Sequence, residues 1–180
     1  NARHGTISSS WERYGTWKGI TTPADAPKNT NQLEVLAKGL FDRTRLLDVL
    51  QNFFVFEADG DGEAVTFTKK MCLYHQYYGV NTTVESTLRA VRGEQDRKIG
   101  VFWHTQGSGK SLSMVFYVNK TKNIEELKSP AYLFLTDRED LDDQLYKTFK
   151  RTGYDNLAKR ASSILDLQKR LKNIGSELIF

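Results

Sequence analysis

Five consecutive residues, Gly107-Ser108-Gly109-Lys110-Ser111, combine the groups that hold a polyphosphate. Phosphates need several donors converging on one point close to the backbone. Gly107 and Gly109 lack a Cβ, so the chain can curl there and turn its N–H groups inward. A helix opening at Lys110 adds the positive end of its dipole. The Lys110 ammonium is then placed for the β- and γ-phosphates, and the Ser111 hydroxyl for Mg²⁺. Thr105, Gln106, Gly107, Ser108 and Gly109 complete the expected nucleoside triphosphate loop, with Lys110 the residue expected to act at the reacting phosphate. The full pattern G-x-x-x-x-G-K-[S/T] calls for Gly where this chain has His104.

Other chemistry-bearing residues read more plainly. Cys72 lies in an apolar stretch and is expected to fill core rather than attack. As the single cysteine it excludes an internal disulfide and suits a reducing cytosol, so a cytoplasmic location is expected. His75 and His104 have no Cys or His partner at metal spacing and read as structural. Asp59, Asp61 and Glu63 have the start of a calcium-loop spacing. The later ligands and the bidentate Glu are missing, so a glycine-rich turn is expected.

These groups need elements to position them. Ile99 to Trp103 is a short apolar run before the loop and predicts a strand. Leu112, Val115 and Phe116 predict a helix after it. Ala131 to Leu135 predicts a second buried strand, and Asp137 a cap for a helix with Leu141, Leu145 and Phe149 inward, stopped by Gly153. Ser163 predicts a cap for another, with Leu167, Leu171 and Ile174 inward, and Glu177 to Phe180 a third strand. Strands alternating with helices mean an α/β fold with a parallel sheet.

Upstream, Asn81 is expected to cap a helix carrying Val84, Leu88 and Val91. Phe54–Glu57 and Ala64–Phe67 flank Asp59-Gly60-Asp61-Gly62 as strand–turn–strand. Asp42 predicts a helix cap, with Leu46, Leu47, Leu50 and Phe53 on one face. Leu33, Leu36, Ala37 and Leu40 predict a helix before it. Thr6-Ile7-Ser8 reads as a strand, and residues 22–27, with Pro23 and Pro27, as a linker.

The chain has 180 residues, enough for one ordinary domain or pieces of two. It lacks an initial Met, which predicts a start partway through a longer protein. No apolar run reaches the ~20 residues of a membrane span, and no signal peptide opens the chain. The net charge of +4 is unevenly placed: residues 76–180 hold 17 basic and 13 acidic side chains. Between Leu145 and Lys172 eight basic residues face only Asp155 and Asp166, which makes a polyanion partner plausible there. A solvated helix face is the plainer reading of that run.

The sequence from Trp103 through Ser111, ending G-x-G-K-S, resembles motif I of superfamily 2 helicases and, more closely, that of the restriction (motor) subunit of type I restriction–modification enzymes. Thr136-Asp137-Arg138-Glu139-Asp140-Leu141-Asp142-Asp143-Gln144 resembles that family's motif Ia, and Tyr74-His75-Gln76-Tyr77-Tyr78 its adenine motif. Arg3-His4-Gly5-Thr6 and Trp11-Glu12-Arg13-Tyr14 resemble the segment after its nuclease core. The match is strong around motifs I and Ia and weak over residues 18–50.

The resemblance implies a partial RecA-like P-loop domain over residues 71–180. It implies a helical and hairpin connector over 29–70, and the tail of a PD-(D/E)xK nuclease-like domain with a linker over 1–28. It implies ATP and Mg²⁺ as cofactors, double-stranded DNA as the track, and methyltransferase and specificity subunits as partners, with no membrane. Gln76 is expected to read adenine, because an amide offers a donor and an acceptor side by side. Thr136 and Arg138 are expected to touch DNA phosphate, while Asp137, Asp140, Asp142 and Asp143 cap the helix or face away. The residues from Lys147 to Lys172 would extend that track. A generic superfamily 2 helicase or remodeller, and a module that binds nucleotide without hydrolysing it, are the rival readings. The chain carries no acidic motif II and no second-domain arginine, so by itself it is expected to be catalytically silent.

Overall fold

Two packed helices carry the phosphate loop. In the computed structural model, which describes residues 2–23, 25–60, 65–173 and 175–180, α3 spans Tyr74–Val91 and α4 spans Lys110–Thr121. On α3 the buried residues Tyr77, Val80 and Val84 fall on one helical stripe; on α4 so do Leu112, Val115 and Phe116. The two stripes meet in one core with Phe53, Cys72 and Val118. A polar tie crosses the same bundle. Lys120 Nζ reaches both carboxylate oxygens of Asp48 at 2.7 Å and Asn81 Oδ1 at 2.6 Å, joining α3 and α4 to the helix Arg43–Asn52. Asn81 is therefore a mid-helix contact, not the expected cap. The helix begins seven residues earlier because Gln76 Oε1 accepts from the Leu73 N–H at 2.8 Å.

Two shorter helices precede this pair. α1 (Gln32–Gly39) is capped by Asn31, whose side chain accepts from Leu33 N, and α2 (Arg43–Asn52) by Asp42, which accepts from Arg45 N. The cap at Asp42 is as expected, and so are the buried Leu36, Leu40 and Phe53; the rest of the inward faces differ. α1 buries Val35, Leu36 and the following Leu40 while Leu33 and Ala37 face out, and α2 buries Val49 and Asn52 while Leu47 and Leu50 face out. An antiparallel hairpin follows, β1 (Phe54–Asp59) with β2 (Thr66–Met71). Asp61 and Gly62 of its expected turn, Glu63, and Ala64 of its expected second strand lie outside the described residues, as does Ala24 of the linker.

Residues 2–17 lie against this unit. Thr6, Ser8 and Ser9 all donate to the Lys69 carbonyl, and Trp17 is buried among Tyr74, Tyr77 and Tyr78. Thr6 to Ser9 forms a turn rather than the expected strand, since Ile7 is fully exposed and only His4 and Gly15 pair.

The second half is a parallel three-stranded sheet: β3 (Tyr132–Leu133), β4 (Ala158–Lys159) and β5 (Leu178–Ile179), in the order β3-β5-β4. Helices α5 (Glu139–Phe149) and α6 (Ile164–Lys172) carry the chain between the strands. β5, the expected third strand, is central, with Leu178 and Ile179 both buried. β4 is too short to announce itself by pattern. Ser163 caps α6 as expected, its side chain accepting from Asp166 N, but α6 has no buried residue among those described, and Ile174 lies outside them.

Three expectations need correction. Ile99 to Trp103 forms no strand: Gly100 within it has a φ of +111°, and Val101 and Trp103 point outward. Its alternation is that of a strand, yet no described backbone group pairs with residues 100–104 along a ladder. β3 is buried on one face only: Leu133 and Leu135 are exposed while Phe134 stacks on Phe180. Asp137 does not cap α5. Arg138 occupies the cap position, in extended conformation and without a side-chain cap bond.

Candidate nucleotide-binding site

The loop from Thr105 to Gly109 has the backbone that its glycines predict. Gly107 (φ +78°) and Gly109 (φ +79°) both lie in the left-handed region, where an L side chain is disfavoured by about 1–2 kcal/mol. Gly109 is also the residue from which α4 starts, and no side chain caps that start. The first amides of α4 therefore lack an intrahelical acceptor and present an anion-binding end.

Lys110 stands at that end. Its Nζ donates to the His104 carbonyl at 2.9 Å and the Thr105 carbonyl at 3.0 Å, so the ammonium is folded over the loop and exposed. Ser111 follows on the same turn, partly buried, with no described hydrogen-bond partner for its hydroxyl. Thr105, Gln106 and Gly107 are exposed along the rim. Ser108 Oγ is buried without a partner. A free hydroxyl, an ammonium and an uncapped helix end within one turn suit a phosphate chain with its divalent cation, and Ser111 is the residue that would hold that cation.

Two side chains of α3 brace the loop from behind. His75 Nε2 lies 3.0 Å from the Ser108 carbonyl, and Gln76 Nε2 donates to the Gly109 carbonyl at 3.0 Å. Gln76 is 2% exposed, and its other end accepts from Leu73 N. Its carboxamide is thus engaged by the chain at both ends, with one lone pair and one N–H left over. The fit is close: a Cβ at Gly109 would lie 2.7 Å from Gln76 Nε2.

His104, where the fuller pattern has Gly, turns its ring back between Phe102 (centroids 4.4 Å apart) and His75 (4.9 Å). Burial first, then the neighbouring His75 and Lys110, hold its pKa below the ordinary histidine value. It therefore stays neutral near pH 7, and its Nδ1 is buried without a partner. The bracing role of these residues was missed from sequence; the departure at position 104 was the signal that could have shown it. Beside the loop, an apolar cavity of about 380 Å³ separates Ile99 and Phe102 from β3, with Lys110 at its edge.

Thr136 and Arg138 sit apart from the loop, at the C-terminal end of β3. They line a crevice of about 510 Å³ with Asp142, Asp143, Arg160 and Phe180. Arg138 makes a two-pronged pair with Asp140 at 3.0 and 2.7 Å, both side chains being well exposed. An exposed pair of this kind contributes roughly 0–1 kcal/mol, so a phosphate can displace it. Asp142 and Asp143 do not face away as expected: both hold Arg160 at 2.7 Å within the crevice. The basic run is divided as well. Arg160 belongs to this crevice, whereas Lys150 and Arg151 line a separate groove beside Phe54 and Phe56.

The SWI2/SNF2 ATPase family matches residues 75–180, from the first turn of α3 to the end of the chain. The type I restriction enzyme HindI endonuclease subunit of Haemophilus influenzae is 41% identical over 167 residues, 92% of this chain and 16% of its own length. The provisionally named type I restriction enzyme MjaIXP endonuclease subunit of Methanocaldococcus jannaschii is 34% identical over 197 aligned residues, 99% of this chain and 18% of its own. The chain thus spans less than a fifth of the length of these curated relatives. Among the described residues no helix is long and apolar enough to cross a membrane. The chain belongs to the SWI2/SNF2 ATPase family, and its curated relatives are the endonuclease subunits of type I restriction enzymes.

Proposed function

We propose that the Gly107–Ser111 loop binds ATP with Mg²⁺, and that the intact protein is the motor and endonuclease subunit of a type I restriction enzyme. In this reading it acts in the cytoplasm and uses ATP to move along double-stranded DNA, together with methyltransferase and specificity subunits. Residues 1–28 are then the tail of its nuclease domain. The observation that carries the reading is the braced loop: two left-handed glycines, with the Ser108 and Gly109 carbonyls tied back to α3, in front of an uncapped helix. Lys110 contacts the β- and γ-phosphates, Ser111 the Mg²⁺, and Thr105, Gln106 and Ser108 the flanks of the phosphate chain. The bound Mg²⁺ supplies charge neutralisation at the phosphates.

The test is ATP-driven displacement of a triplex-forming oligonucleotide from duplex DNA by the assembled complex. Displacement with ATP and none with a non-hydrolysable analogue is expected. ATP binding with no displacement and no phosphate release would favour a binding-only module. Displacement without any far-site DNA cleavage would favour a generic remodeller.

Gln76 reads adenine in this proposal through its remaining lone pair and N–H, whose pattern matches adenine and opposes guanine. GTP should then compete much less well than ATP, and Gln76→Ala should narrow the gap. A substitution that weakens both nucleotides equally would leave Gln76 as a brace of the loop and nothing more.

Thr136 and Arg138 contact DNA phosphate in the same reading. Arg138→Gln should lower the slope of log affinity against log salt by about 0.9, one phosphate contact on duplex DNA, in the intact subunit. An unchanged slope would move the DNA surface away from β3.

A further inference from the structure

We propose that His75 is a positioning residue of the nucleotide site: its ring N–H holds the Ser108 carbonyl back, so that the next amide of the loop faces the phosphates. The proposal rests on the ATP-binding reading of the Gly107–Ser111 loop. It starts from two adjacent bonds. His75 and Gln76, neighbours on the first turn of α3, hold two successive carbonyls of the loop, Ser108 and Gly109, each at 3.0 Å. A trans peptide is planar, with its carbonyl and N–H pointing opposite ways. Pulling the Ser108 carbonyl toward α3 therefore turns the Gly109 N–H away from α3. Pulling the Gly109 carbonyl does the same for the Lys110 N–H. The direction of both donors is set from behind the loop rather than within it.

The chemistry of the bond fixes the tautomer. A carbonyl only accepts, so Nε2 of His75 carries the proton. The ring is held in that orientation by a stack of side chains. The His104 ring meets His75 edge-on at 4.9 Å, and Phe102 lies 4.4 Å behind His104. Phe102 in turn rests on α3 where Gly79 makes room: a Cβ there would come within 2.6 Å of Phe102 Cε2. The series Gly79, Phe102, His104, His75 and Ser108 is continuous. It gives the histidine at position 104 a structural task that a glycine could not perform. A neutral His104 fits this task, because a charge there would face both His75 and the Lys110 ammonium.

The experiment uses the intact subunit assembled with its partners and DNA, with steady-state ATP hydrolysis as the readout. Four variants are compared: His75→Ala, His75→Asn, His75→Gln and Lys110→Ala. Glutamine places an amide N–H near the position of the histidine Nε2, while asparagine keeps the polarity but falls short. His75→Ala and His75→Asn should raise KM for ATP about tenfold, the scale of one lost bond to a buried carbonyl. Their kcat should change much less than KM, and His75→Gln should recover most of the affinity. A melting temperature matching the unsubstituted protein separates this effect from loss of fold. An unchanged KM in His75→Asn, or a KM in His75→Gln as poor as in His75→Asn, overturns the proposal. If Lys110→Ala loses ATP while the His75 variants do not, the ATP site stands and the His75 role falls. If Lys110→Ala keeps its affinity, the ATP site falls and takes the His75 role with it.

Discussion

Replacing Lys110 with alanine should cut ATP affinity at least tenfold and ATP hydrolysis by about two to three orders of magnitude. Two terms set these magnitudes. An ammonium-to-phosphate bond is charge-assisted and contributes roughly 1.5–3 kcal/mol, which is about one to two decades in affinity. Charge that develops on the transferred phosphoryl group makes such a donor worth more in the transition state, where removing one costs about 10²–10³ in rate. The structure bears on both. Lys110 Nζ is already held over the loop by the His104 and Thr105 carbonyls at 2.9 and 3.0 Å. Its side chain is exposed and contributes nothing to the core, so the variant should fold and melt as the unsubstituted protein does. Titration with a fluorescent ATP analogue and phosphate release by the assembled complex are the two measurements. Unchanged affinity in a folded variant would remove the loop from the nucleotide site.

How much of this was legible in the sequence follows from how local each feature is. The Gly107–Ser111 loop is five adjacent residues, and the structure gives its two glycines the left-handed backbone their chemistry implied. The caps at Asp42 and Ser163 were legible because a cap bonds only three residues ahead. The β1–β2 hairpin was legible as two strands on either side of a glycine-rich stretch, although its second strand, Thr66–Met71, runs four residues beyond the expected Ala64–Phe67.

Features decided by distant partners were not legible. Leu47 and Leu50 suit a buried face as well as Val49 does, and only the packing of α2 against the rest of the core selects between them. The start of α3 at Tyr74 depends on Gln76, a residue read for adenine rather than for the Leu73 N–H it receives. The Ile99 to Trp103 run has strand-like alternation, but a strand also needs a neighbour that pairs along at least one edge, which no local pattern reveals. Beside β3, Asp142 and Asp143 were expected to cap the helix or face away, and it is Arg160, seventeen residues on from Asp143, that pairs with both.

Gly109→Ala should be more damaging than Gly107→Ala, although the two residues share the same backbone conformation. Both replacements meet the left-handed penalty of about 1–2 kcal/mol, since φ is +78° at Gly107 and +79° at Gly109. A Cβ at Gly107 meets nothing within 4 Å, so the conformational term is the whole effect there. At Gly109 the new methyl lies 2.7 Å from Gln76 Nε2. That amide is not a free end that can swing aside. It is buried, donates to the Gly109 carbonyl, and receives the Leu73 N–H on its other side. Moving it leaves buried polar groups unpaired, at about 1–3 kcal/mol each. Gly107→Ala should therefore weaken ATP by about tenfold and Gly109→Ala by a hundredfold or more. Shortening Gln76 to alanine in the Gly109→Ala background should recover part of the loss, because the obstructing atom is gone. That non-additivity is what a double-mutant cycle over positions 76 and 109 reads directly. Equal losses at Gly107 and Gly109, or strict additivity in the cycle, would mean that Gln76 does not bear on the loop, and that its contact with Gly109 sets nothing in nucleotide binding.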